Sequence, residues 1–339
     1  MPNFAAHLRR DDRRPRRAVR RRGPGGGLVA AFPALVLAAV VALTGCAVPP
    51  SARAAAEVPD DGRPVVLTTF TVLADMARQV AGRHVRVESV VDVGVEIHGY
   101  EPTPDDLRRA ADADLVLDNG LGLEAWSERF LARLDAPHVT VSDGVATIPI
   151  ESGGSTGQPN PHAWMSPDAA IVYVANIADA LAELDPAHAA DFRANARTYS
   201  AELRAVRDAL VDRLERLDPD RRALVTCEGA FSYLARDAGL AEAYLWPVSS
   251  DAQGTPQGVA RAITFVRERE VPAVFCESTV SDTAQRQVAR ETGARFGGVL
   301  YVDSLSGPDG PVPTFLDLLR HDTEVVAAAL TGSSAGASS

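Results

Sequence analysis

Four side chains that lie far apart in the sequence share one chemistry: His98, His162, Glu228 and Asp303. Two neutral imidazoles and two carboxylates bring −2, which a divalent cation neutralises, partly repaying the cost of burying charge. Nitrogen with hard oxygen suits Mn²⁺ or Fe²⁺ and also accepts Zn²⁺. If both carboxylates bind through both oxygens, coordination exceeds four, which suits manganese better than a structural zinc site. Each residue taken alone has a plainer reading. His98, beside Tyr100 and Glu101, could be a satisfied loop histidine, and so could His162 before Trp164. Asp303 could cap a turn. Glu228 is the exception, because an apolar run leads into it and an unpaired buried carboxylate is costly. What joins the four is placement, each at the end of an apolar run or in the loop beyond it.

The elements that must position them follow from hydrophobic periodicity. Residues 64–70, 84–91, 113–118 and 138–141 read as strands. Between them, 71–81 carries Val72, Met76 and Val80 on one helical face, 104–110 opens with Pro104-Asp105-Asp106, and 120–134 carries Leu123, Trp126, Phe130 and Leu134. Strand-helix alternation of this kind indicates a parallel sheet covered on both faces. Ser166-Pro167 reads as an N-cap and first helical residue for a helix to about 184. From 186 to 217 there is no Gly and no further Pro, and Phe192, Tyr199, Leu203, Val206, Leu210 and Leu214 recur at helical intervals. Such a helix would span roughly 48 Å. Alternation then resumes, with strands at 223–226, 243–247, 273–276 and 297–302 and helices at 231–238, 257–268, 281–293 and 313–330. The expectation is an α/β chain of two lobes, each a parallel sheet flanked by helices, at 64–184 and 219–330. One long rigid helix, 185–218, joins them, and residues 331–339 form a disordered tail. At the carboxyl ends of parallel strands side chains converge on a crevice, so the four residues are expected to meet between the lobes.

The N-terminus has a different character. Nine arginines precede an apolar run at 28–43, which ends in Leu43-Thr44-Gly45-Cys46. A charged region followed by an apolar one reads as an export signal, too short and too early for a permanent span. The cysteine after small residues resembles the lipobox of bacterial lipoproteins, which implies cleavage and lipidation at Cys46. Residues 1–45 are then the signal peptide and 46–63 a flexible tether. The export route, general secretory or twin-arginine, stays open. The nine arginines stand against Asp11 and Asp12, a contribution of +7 to a net charge of −11, so the exported part carries −18. That balance argues against a nucleic-acid partner. All basic side chains are Arg. Cys227 and Cys276 form an even pair in an oxidising compartment, either bonded across neighbouring strands or both buried as thiols.

The segments 94–104 (Gly-Val-Glu-Ile-His-Gly-Tyr-Glu-Pro-Thr-Pro), 160–164, 228–234, Gly254-Thr255-Pro256 and Asp303-Ser304 resemble the metal-binding lipoproteins of bacterial ABC importers for manganese, zinc and iron. The resemblance covers about 64–330 and the lipobox. It implies two α/β lobes joined by one long helix, with the metal ligands at His98, His162, Glu228 and Asp303. The two-histidine, glutamate, aspartate set is similar to the manganese/iron branch. Zinc-specific relatives usually have a third histidine where Glu228 stands, and many have a histidine-rich loop before the second ligand, whereas 151–161 holds no histidine. Glu96-Ile97 before His98, and Asn160 before Pro161, depart from the pattern without removing a ligand.

The resemblance implies a solute-binding protein outside the cytoplasm, tethered to the outer face of the cell membrane. It would capture a divalent ion, Mn²⁺ first among Mn²⁺, Fe²⁺ and Zn²⁺, and deliver it to a permease driven by a separate ATPase. The chain has no Gly-x-x-x-x-Gly-Lys loop of its own. Nothing demands more than a monomer. The alternatives are a zinc-uptake protein of the same fold, a metal-dependent hydrolase, or a surface adhesin stabilised by metal. A hydrolase needs an open coordination position, and four protein ligands leave little room. Glu101 is a candidate to orient a ligand, and Glu277 either pairs with an arginine or supports the site. His84, His138, His188 and His321 are read as ordinary histidines.

Overall fold

The computed structural model describes residues 62–126, 130–131, 134, 136–248 and 254–332. The expected signal segment, Cys46 and nearly all of the tether lie outside the described residues, as do 333–339. The first lobe contains β1 (Val65–Thr68), α1 (Thr71–Ala81), β2 (Arg86–Ser89), α2 (Pro104–Ala111), β3 (Leu115–Asp118) and β4 (His138–Thr140). Its sheet has the order β2-β1-β3-β4 and every pairing is parallel. β1 and β3 are buried along their whole length, as strands covered on both faces must be. α2 starts where a capping box forms. Thr103 accepts from the Asp106 amide, and the Asp106 carboxylate accepts from the Thr103 amide.

α3 (Pro167–Leu184) begins as expected, with the Ser166 hydroxyl accepting from the amides of Asp168 and Ala169. The connecting helix is shorter than the sequence suggests. Residues 186–188 form a 3-10 turn, and α4 (Ala189–Leu214) has 26 residues, roughly 39 Å. Its end is set by Pro219, which favours extended backbone at Asp218. The six expected apolar residues, from Phe192 to Leu214, are all buried.

The second lobe contains β5 (Ala223–Glu228), α5 (Ser232–Ala238), β6 (Ala241–Trp246), α6 (Pro256–Glu268), β7 (Ala273–Glu277), α7 (Thr283–Thr292), β8 (Arg295–Leu300) and α8 (Phe315–Thr331). Thr331 and the Gly332 cap therefore belong to the last helix rather than to a tail. Instead of one continuous ladder there are two parallel pairs, β5–β6 and β7–β8. β5 and β7 lie side by side, and strand alternation divides their side chains between two cores. Val225, Cys227, Val274 and Cys276 pack in one, against α6 and α7. Leu224, Ala273 and Phe275 join the other, larger core, which is continuous with the first lobe and α4. The repeated Cys-Glu pair therefore puts both thiols on one face, where Cys227 and Cys276 form a disulfide with Cα atoms 4.9 Å apart. Closing a loop of that separation, 49 residues, stabilises the fold by roughly 4 kcal/mol on the chain-entropy account. Among the described residues no helix is long and apolar enough to cross a membrane.

Hydrogen bonds lock the lobes together. The Phe315 amide at the start of α8 donates to Asp75 of α1 (2.9 Å), and the Leu305 amide to the Thr71 hydroxyl (3.0 Å). The Trp164 indole donates to the Val302 carbonyl (3.2 Å), while its ring meets Phe70 edge-on at 5.0 Å.

Candidate metal centre

Strand exits deliver three of the four side chains. Glu228 is the last residue of β5, on the face opposite Cys227. Asp303 follows β8, in the loop before α8. His98 lies in the loop between β2 and α2, and His162 opens a 3-10 turn, Ala163–Met165, ahead of α3. The fold brings all four to one point. His98 Nε2 is 3.1 Å from His162 Nε2 and 3.6 Å from Glu228 Oε1. His162 Nε2 is 3.7 Å from Glu228 Oε1 and 3.8 Å from Asp303 Oδ1. His162, Glu228 and Asp303 are buried, at 0, 2 and 3% exposure, while His98 stands at the rim.

These spacings match one ion. With bonds of about 2.1 Å, separations of 3.1 to 3.8 Å correspond to angles of about 95° to 130° at the metal. The Asp303 Oδ1 atom is buried without a hydrogen-bond partner, the condition of an oxygen whose natural partner is a cation. Burial pushes the Asp303 carboxyl up to about 6, with His98 opposing that rise and Glu96 adding to it. Burial, and secondarily His98, holds the His162 imidazole well below its ordinary value, so it is neutral.

The tautomer of His162 follows from its neighbours. The Asn160 amide nitrogen donates to the Gly229 carbonyl at 2.6 Å, and a carbonyl can only accept. Asn160 Oδ1 is therefore an acceptor, and it takes both the His162 backbone N–H and Nδ1–H, each at 3.0 Å. Nε2 is left with its lone pair facing the other three groups. Glu96 acts on the backbone at His98 rather than on its ring, accepting from the amides of His98 (2.8 Å) and Gly99 (3.0 Å). The two departures noted in the sequence thus share a geometry. Each is an acceptor side chain two residues before a histidine, turning the backbone back on itself. The two-residue spacing is legible in the sequence, whereas the contacts it makes belong to the fold. Further pins hold the His98 loop. The Trp126 indole donates to the Ile97 carbonyl (3.0 Å), and the Gly94 amide to the Ser304 hydroxyl (2.6 Å), beside Asp303.

Other expectations separate. Glu101 is exposed and takes no part. Glu277 is buried and accepts from the Glu228 amide with both oxygens at 3.3 Å, so it supports β5 rather than pairing with an arginine. Gly229, next to Glu228, has no room for a side chain: a Cβ there would lie 2.7 Å from the Pro247 carbonyl. His84 and His188 stack on each other at 3.8 Å, beside Asp191 and Asp185. His321 reaches the Val299 carbonyl (3.3 Å), and His138 is exposed on β4.

Comparison with known proteins agrees with this architecture. The family model ZnuA, described as "Zinc-uptake complex component A periplasmic", matches residues 66–329. The chain is 49% identical over 263 residues to the iron-binding protein YfeA of Yersinia pestis, covering 77% of this chain and 85% of that one. It is 31% identical over 267 residues to the manganese-binding lipoprotein MntA of Halalkalibacterium halodurans, covering 78% and 88%. The manganese-bound structure of a periplasmic metal binding protein from Candidatus Liberibacter asiaticus is similar over 79% of this chain and 100% of that one, with 41% identity and a TM-score of 0.74.

Proposed function

Because the chain belongs to the ZnuA family of periplasmic metal-uptake components, we propose that it captures one divalent metal ion between its lobes and delivers it to an ABC permease. It is a substrate-binding transport protein, not an enzyme. The ligands in this reading are His98, His162, Glu228 and Asp303. The observation that carries it is the convergence on His162 Nε2 of His98 Nε2 at 3.1 Å, Glu228 Oε1 at 3.7 Å and Asp303 Oδ1 at 3.8 Å, with that Asp303 oxygen unpartnered. Manganese is the preferred ion, with iron next. Two hard carboxylates against two nitrogens favour them, and the similar proteins named above are described as iron-binding and manganese-binding. The family description names zinc, so zinc uptake is the competing reading. Cys46 supplies the membrane tether, and the permease draws on a separate ATPase.

Metal-free protein offered Mn²⁺, Fe²⁺ and Zn²⁺ separately tests this. One equivalent of Mn²⁺ held reversibly, beside a nearly irreversible Zn²⁺ complex, is the expected result. Asn160→Ala frees the His162 ring and is expected to weaken Mn²⁺ binding by roughly 10- to 100-fold, the usual loss for an outer-shell partner. Tight Zn²⁺ with no retention of Mn²⁺ would transfer the function to zinc, and failure to bind all three would end the proposal.

A further inference from the structure

A second cavity, of about 670 Å³, opens on the other side of Asn160 from the metal centre. Both lobes wall it: Ile148 and Asn160 come from the first, and Leu240, Tyr244 and Phe265 from the second. Most of its lining is apolar or aromatic, yet the Glu242 carboxyl of β6 belongs to it. Glu242 Oε1 is buried and has no hydrogen-bond partner. An orphaned carboxylate oxygen in an apolar cavity costs free energy unless something with positive charge joins it. Among the described residues no cationic side chain bonds to that oxygen. Arg236 also lines the cavity, but its guanidinium is engaged by Asp237 at 2.7 Å and by the Ala146 carbonyl at 3.0 Å. Arg261 lines the cavity as well, but is exposed on α6.

The cavity that holds this carboxyl also contains Ser232 and Asn160. The Ser232 hydroxyl donates to the Gly229 carbonyl at 3.2 Å. The Asn160 amide nitrogen donates to the Ser232 hydroxyl at 3.3 Å, and Asn160 Oδ1 accepts from His162. Burial, opposed by Ser232 and reinforced by Glu151, pushes the Glu242 carboxyl up to about 7, as expected for a group whose counter-charge is not supplied by the fold.

We propose that this cavity is a second binding site, for a small organic ammonium ion with an apolar body. The ammonium would donate to Glu242 Oε1, and the body would pack on Tyr244, Phe265, Ile148 and Leu240. Aromatic faces add attraction for a cation.

The test uses phenethylamine and its uncharged counterpart 2-phenylethanol, titrated calorimetrically into metal-free protein at pH 8. Metal need not be present, so a failure here is distinct from a failure of the transport reading. Saturable one-to-one binding of the amine is expected, with the alcohol weaker by at least about 10-fold, the least that loss of a charge-assisted bond should cost. Glu242→Gln, nearly isosteric, should weaken amine binding by a similar factor without lowering the melting temperature. The Asn160 side-chain amide resonance should shift on addition of amine and not in the variant. No saturable binding, equal affinity for amine and alcohol, or undiminished binding by Glu242→Gln would each overturn the proposal.

Discussion

Asp303→Asn abolishes the thermal stabilisation that Mn²⁺ gives the native protein and, in the same experiment at pH 8, raises the melting temperature of the metal-free protein. The two changes have one cause. Asp303 is 3% exposed, its Oδ1 is unpartnered, and burial lifts its carboxyl from 3.8 to about 6. A carboxyl raised in the folded state contributes no penalty below its unfolded value and a full one above its folded value. At pH 8 that penalty is about 3 kcal/mol, and removing it should lift the metal-free melting temperature by roughly 5–10 °C. The native protein recovers the cost when a cation binds, since ligand at about 1,000 times its dissociation constant adds about 4 kcal/mol. The asparagine variant has no such gain to make. Differential scanning calorimetry of both proteins, with and without Mn²⁺, reads all four values. A variant less stable than the native protein without metal, or one that keeps the full Mn²⁺ shift, would remove Asp303 from the site.

The second large effect is on pH. Glu124 and Glu277 are buried, at 4% and 2% exposure, and burial raises their carboxyls to about 7 and about 8 from 4.5. Glu124 is raised although it accepts from the Thr69 hydroxyl and the Asn119 and Gly120 amides. Both groups hold protons more tightly when folded. Their contribution is therefore fully present below pH 4.5 and is lost as pH rises through 7 to 8. The metal-free protein should lose stability between pH 5.5 and 8.5, by roughly 2 kcal/mol through Glu124 and roughly 3 kcal/mol through Glu277. Stabilisation by metal runs the other way, because the ligands must be deprotonated to bind. Denaturant titrations at the two pH values should show metal-free stability falling and the Mn²⁺ increment growing. Glu124→Gln should flatten the first trend. A metal-free protein as stable at pH 8.5 as at 5.5 would contradict the assigned burial costs.

Much of this was legible from local pattern. Strand-helix alternation, the buried stripe from Phe192 to Leu214 and the Ser166-Pro167 cap depend on residue type and near neighbours and stand where the pattern put them, except that residues 121–126 of the helix expected at 120–134 form turns. Element ends were less legible. The connecting helix loses both its ends, because Pro186 opens a 3-10 turn and Pro219 draws Asp218 into extended backbone. The two-pair arrangement of β5–β6 and β7–β8 was hidden as well, since pairing is chosen by long-range contact.

For the site the division is sharper. By itself the sequence determined which atoms are available: two imidazoles, two carboxylates, and a Cys-Glu pair used twice. Alternation along β5 and β7 then obliges thiols and carboxyls to face opposite ways. The tertiary structure alone decided that positions 98, 162, 228 and 303 meet within a few ångströms, that Asn160 turns the His162 lone pair inward, and that Glu277 holds the Glu228 amide while Glu101 stays in solvent. Donor type is a property of one residue. Convergence, burial and tautomer are properties of packing between residues remote in the chain, where low dielectric and hydrogen-bond partners are supplied by whatever the fold brings alongside.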